Sequence, residues 1–91
     1  MKIRIETADN TFVHELADGQ TASVGRLPED DICISERAVS RRHATLVCRG
    51  GMLMVTDVGS HGGTFVNGVK ITSETAVPPG GAVRMGSSTL T

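Results

Sequence analysis

Ninety-one residues with a net charge of −1 leave room for one domain, and they argue against a basic binder of nucleic acid or of an anionic membrane surface. A chain this short hides only about 60–65% of the surface its unfolded form exposes, so its core is thin and a deep substrate cavity is hard to build. With no Trp or Tyr and two Phe, that core has to be aliphatic.

The chain begins with Met1-Lys2-Ile3-Arg4, which alternates at once and lacks the apolar stretch of a signal peptide. No apolar run approaches the roughly 20 residues that cross a bilayer, so the expectation is a cytoplasmic protein with no membrane contact. Lys2-Ile3-Arg4-Ile5-Glu6 alternates polar and apolar, the pattern of a strand with one buried face. Thr11 to Leu16 predicts a second strand, Asp18-Gly19 a turn, and Ala22 to Gly25 a third strand. Leu27-Pro28-Glu29-Asp30 reads as a loop, because proline offers no amide donor and disfavours helix at Leu27.

Asp31 to Ser35 alternates again, and the polar run Glu36 to Arg42 predicts an exposed loop. His43 to Cys48 and Met52 to Thr56 flank Arg49-Gly50-Gly51, a hairpin signal. Thr64 to Val66 and Val69 to Ile71 flank Asn67-Gly68, a pair suited to the positive φ angles of a type I′ turn. After the loop Pro78 to Gly81 come Ala82 to Met85 and a last short strand near Thr89. About ten short strands with turn signals between them, and no amphipathic helix, predict an all-β sandwich spanning residues 1–91 as one domain. Cys33 and Cys48 sit in strand-like runs and are expected to be reduced thiols without a metal.

Two loops carry more polar chemistry than turns require. The segment from Arg26 to His43 holds four of the seven arginines, although Glu29, Asp30, Asp31 and Glu36 balance them in number. The second loop is Asp57-Val58-Gly59-Ser60-His61-Gly62-Gly63-Thr64. Guanidinium presents a planar fork of donors that matches phosphate, and a serine hydroxyl adds another. Arg26, Ser40 and Arg41 on converging loops have the donors that a phosphomonoester needs.

Gly25-Arg26, then Ser40-Arg41-Arg42-His43-Ala44, then Asp57-x-x-Ser60-x-x-Gly63-Thr64-x-x-Asn67-Gly68 together resemble the forkhead-associated (FHA) domain over about Val24 to Gly86. The resemblance implies an eleven-stranded β-sandwich whose loops at one end read phosphothreonine in partner proteins. It implies that Arg26 bonds the phosphate and braces the adjacent loop, that Ser40 donates its hydroxyl to a phosphate oxygen, and that Arg41 contacts phosphate or peptide backbone. Gly25 would permit the backbone turn, and His43 would pin the two loops together from within. The chain departs from the family at Gly62, where an Asn side chain usually clasps the bound peptide. Glycine cannot make that contact and is costlier to order, which leaves three outcomes open: weaker affinity, partial replacement by His61, or binding that no longer needs phosphate.

Other polar residues have plainer readings beside these. Ser60 and Thr64 read as loop-bracing hydroxyls, with Thr64 also approaching the phosphopeptide, and Gly63 as support for the loop. Arg37 reads as a specificity contact or a solvated charge; Arg42 stays open between a contact and a solvated charge, the resemblance more often implying that it points outward. A Ser40, His43, Asp57 hydrolase set fails on context: no Gly-x-Ser-x-Gly elbow is present, and Ser and His three apart seldom face each other in extended chain. Gly59 to Gly63 also lacks the Lys and following helix of a nucleotide-binding loop. Without Trp or Tyr for base stacking, single-stranded nucleic acid is a poor partner. The expectation is therefore a phosphothreonine-dependent binding module for substrates of Ser/Thr kinases, part of a longer protein, without enzyme activity or cofactor. The alternative is a phosphate-independent assembly module on the same sandwich.

Overall fold

A computed structural model describes residues 1–91 as eleven strands without a helix. They are β1 (Lys2–Glu6), β2 (Thr11–Glu15), β3 (Thr21–Gly25), β4 (Ile32–Cys33), β5 (Ala44–Arg49) and β6 (Met52–Asp57). There follow β7 (Phe65–Val66), β8 (Val69–Lys70), β9 (Thr75–Val77), β10 (Val83–Met85) and β11 (Ser88–Leu90). One sheet runs β2-β1-β11-β10-β7-β8 and the other β4-β3-β5-β6-β9.

Alternation in the sequence becomes alternation of burial. Ile3 and Ile5 of β1 are buried while Lys2, Arg4 and Glu6 are exposed, and Leu46 and Val55 face them from the second sheet's core side. The shared core is a cluster of 19 buried apolar residues in which Met85 and Cys48 are the only ones that are not aliphatic hydrocarbon side chains. Neither phenylalanine belongs to it: Phe12 packs on its edge and Phe65 is half-buried under the Arg84 guanidinium. Cutting Leu46 or Ile5 back to alanine in such a core costs about 2–5 kcal/mol.

The turns close as their residues dictate. Asn67 and Gly68 both have positive φ, 49° and 82°, so the β7–β8 hairpin is a type I′ turn. Three features depart from the expectations. β9 is a strand where none was expected, pairing Thr75 to Val77 with Val55 to Leu53. β4 is only two residues long and pairs parallel to β3, with Val24 opposite Ile32 and Gly25 opposite Cys33. The loop from Glu36 to Arg42 is not wholly exposed, because Val39 is buried in the core and tethers it.

This connectivity sorts the loops by end. β3 and β4 finish, β5 starts and β6 finishes at one end, which also carries the β1–β2 turn and the Gly86-Ser87 turn between β10 and β11. Both polar loops therefore lie at that end. Met1 and Thr91 lie at the opposite end, where they line a groove with Gly51 and the Pro78 to Gly81 segment.

Candidate functional site

Gly25 ends β3 at a point where two pieces of backbone nearly touch. A Cβ at Gly25 would collide with the Arg41 carbonyl oxygen and the Asp30 carboxylate, so only glycine lets the loops meet here. The next residue exploits that approach: the Arg26 amide donates to the Ser40 carbonyl at 3.1 Å, and its Nε donates to the Val39 carbonyl at 3.1 Å. Arg26 thus holds the first loop while its two terminal nitrogens make no bond within the chain.

His43, fully buried, ties the first loop to the second. Its Nδ1 accepts from the Ser40 amide at 3.0 Å, so the proton sits on Nε2, which donates to the Gly63 carbonyl at 2.9 Å. The imidazole is a strut, and it immediately precedes β5 rather than opening it. Gly63 has a φ of 87°, a left-handed conformation that favours glycine.

Asp57 organises the second loop. Its Oδ1 accepts from the Gly59 and Ser60 amides at 2.8 and 2.9 Å, and its Oδ2 from the Ser60 and Thr64 hydroxyls. The Ser60 oxygen in turn accepts from the Gly63 amide at 2.9 Å. Burial pushes the Asp57 carboxyl up, but these four donors outweigh it and hold the pKa at about 2, against an ordinary 3.8. Thr64, expected both to brace the loop and to approach the peptide, is fully buried with its hydroxyl committed to Asp57. Its loop-bracing role is what the geometry supports.

The two braced loops enclose an open depression of about 470 Å³ lined by Arg26, Arg37, Ala38, Ser40, Arg41, His61 and Gly62. Within its lining the Ser40 Oγ accepts from the His61 amide at 2.9 Å, and no acceptor in the chain takes its proton. The hydroxyl is therefore oriented and still able to donate. None of the three guanidiniums has a carboxylate within 4.0 Å; the ion pairs are Met1 with Glu15, Arg4 with Glu6 and Arg49 with Glu74. Arg42 is exposed and does not line the depression.

The acidic residues that balance the arginines in number do not balance them in space. Asp30 accepts from the Leu27 amide at 3.0 Å, and Asp31 from the Ser23 amide at 2.9 Å. Glu36 accepts three hydrogen bonds from Ser87 and Ser88. Burial raises the Glu36 pKa, yet the Ser88 hydroxyl and the Ser87 amide and hydroxyl bring it below its ordinary value. A depression with positive charge and one free hydroxyl donor results on a chain of net charge −1.

Asp57 and Glu36 were assigned no role from sequence. For Asp57 a local signal exists, since Asp two and three residues before Gly and Ser is an Asx-turn pattern. For Glu36 there is none, its partners lying 51 and 52 residues away.

Comparison with known proteins agrees with this geometry. Residues 22–86 match the model of the FHA domain. The chain is 43% identical over 63 residues to the glycogen accumulation regulator GarA of Mycolicibacterium smegmatis, covering 69% of this chain and 40% of that protein. The fold superposes on the FHA domain of the CT664 protein from Chlamydia trachomatis with a TM-score of 0.89 at 26% identity, covering 98% and 91% of the two chains. A second FHA domain, solved in a structural and functional study of phosphothreonine-dependent FHA interactions, gives a TM-score of 0.78 at 25% identity over 99% and 93%. The chain thus spans less than half the length of GarA but nearly all of each solved domain. From matched residues, topology and the braced pair of loops together, the chain belongs to the FHA domain family.

Proposed function

We propose that residues 1–91 form a single non-catalytic module that captures phosphothreonine on partner proteins and so reads the marks of Ser/Thr kinases. One observation carries the reading: the oriented Ser40 hydroxyl has an unclaimed proton and opens into a depression with three unpaired guanidiniums. A phosphomonoester brings about −1.5 to −2 charges and three acceptor oxygens to such donors. Each charge-assisted bond contributes about 1.5–3 kcal/mol, less where water competes. Arg26, Ser40 and Arg41 hold the phosphate in this reading, and Arg37, His61 and Gly62 meet the flanking peptide. The phosphothreonine dependence of interactions studied with a similar FHA domain supports it. The exposed free thiol of Cys33 suits a reducing compartment, and we assign the module to the cytoplasm.

The test is titration of the purified domain with a degenerate phosphothreonine peptide pool and with its unphosphorylated twin. Binding confined to the phosphorylated pool and lost in Arg26→Ala is the expected result. Equal binding to both pools, or to neither, overturns it. The bare backbone at Gly62 would then favour phosphate-independent assembly as the use of this face.

A further inference from the structure

The loop that carries Arg37, Ala38 and Ser40 needs a fixed base if its donors are to converge on one anion. Its upper part is held by Arg26 and by Val39 in the core. Its lower part is held by a contact that crosses from one sheet to the other. The Glu36 Oε1 accepts from the Ser87 amide at 2.7 Å and the Ser87 hydroxyl at 2.8 Å, and Oε2 accepts from the Ser88 hydroxyl at 2.6 Å. The Glu36 backbone carbonyl then accepts from the Val39 amide at 3.0 Å, which closes the turn over Arg37 and Ala38.

The opposing turn is shaped for this contact. Gly86 has a φ of 60°, and a Cβ there would lie 2.6 Å from the Glu36 carboxylate and 2.9 Å from the Ala38 Cβ. Ser88 is fully buried, and Glu36 is the acceptor for its hydroxyl. A buried hydroxyl without an acceptor is costly, so the pairing is strongly preferred over solvent. The same contact has a second effect. It turns the carboxylate next in sequence to Arg37 onto neutral donors, away from the guanidiniums of the depression.

We propose that Glu36, latched to Ser87 of the β10–β11 turn and to Ser88 at the start of β11, is a positioning residue that presets the anion-binding loop and withholds its own charge from the arginines. The inference rests on the phosphothreonine reading for its consequence, but the latch itself can be read in the free domain. Removing Glu36 leaves Arg26, Ser40 and Arg41 in place and loosens the loop that presents them. Removing the serines loosens the loop and also frees a carboxylate to compete with phosphate.

The experiment compares wild type, Glu36→Ala, Glu36→Gln and Ser87→Ala/Ser88→Ala by amide hydrogen exchange and by titration with the phosphothreonine peptide pool. In Glu36→Ala the Val39 and Ser40 amides should exchange at least about tenfold faster, while Leu46 and Val55 in the central strands stay unchanged. Affinity for the pool should fall about tenfold, and Glu36→Gln, which keeps one acceptor oxygen, should recover part of it. The double serine variant should bind more weakly than Glu36→Ala, and adding Glu36→Ala to it should restore some affinity. Unchanged exchange at Val39 and Ser40 overturns the latch. Faster exchange with unchanged affinity overturns the positioning role. Failure of wild type to prefer the phosphorylated pool overturns the phosphothreonine reading instead, and the exchange result still decides the latch.

Discussion

A single hydroxyl shows how the fold can orient a donor toward an open depression. Ser40 spends one lone pair on the His61 amide and keeps its proton, so the group is oriented by the fold and remains a donor. Ser40→Ala should leave the melting temperature within a few degrees of wild type while reducing phosphopeptide affinity about tenfold or more, measured by calorimetric titration. Gly62 gives the opposite kind of prediction. Its φ is not in the left-handed region, and an added Cβ would meet only the Ala38 carbonyl oxygen, at 3.4 Å. Gly62→Asn should therefore fold normally and tighten phosphopeptide binding several-fold by restoring an amide beside the peptide; weaker binding would mean that the loop serves a different ligand. Ser40 and Gly62 could be singled out in the sequence because each lies within a short contiguous motif. Thr64 was only half legible: its hydroxyl pointed to hydrogen bonding, but nothing local distinguished a ligand from the half-buried Asp57 as its partner.

At the scale of elements, the β6–β7 loop depends on one carboxylate. Asp57 titrates at about 2 in the fold against 3.8 ordinarily, so the folded state binds its proton less readily than the unfolded state does. Its contribution is present in full above pH 4 and is lost as pH falls through 2. The shift corresponds to about 1–2 kcal/mol once solvent screening of a partly exposed group is allowed for. Thermal melts of wild type and Asp57→Asn should thus differ at pH 6 and converge between pH 4 and pH 2; a gap independent of pH would show that the carboxylate's charge is not what braces the loop. The hairpins at Gly50-Gly51 and Asn67-Gly68 could be read from sequence because a turn is chosen by its own two residues. β9 could not, since Thr75-Ala76-Val77 is short, lacks clear alternation and gains its strand identity from pairing with β6. The parallel β3–β4 pair is likewise a product of where Val24 and Ile32 end up, not of either segment's composition.

For the molecule as a whole, net charge is a poor guide to the field at the binding end. Asp30, Asp31 and Glu36 spend their acceptors on amides and serine hydroxyls, which leaves Arg26, Arg37 and Arg41 without carboxylate partners. Attraction of a phosphorylated segment is then local and open to screening. The Debye length falls from about 10 Å at 0.1 M salt to about 3 Å at 1 M, and phosphopeptide affinity should drop about tenfold across that range. Affinity insensitive to salt would point to contacts other than charge. Sequence counting placed these acids and arginines in one balanced stretch; only the folded chain separates them, because Asp30, Asp31 and Glu36 each find a nearer donor than a guanidinium.

Met1 and Thr91 share a groove at the end of the sandwich away from both loops. A dye, a biotin or a surface tether attached through either residue would therefore leave the depression facing solution. Immobilised in that way, the domain becomes an oriented capture reagent, with every copy on a bead or sensor surface presenting the same face outward.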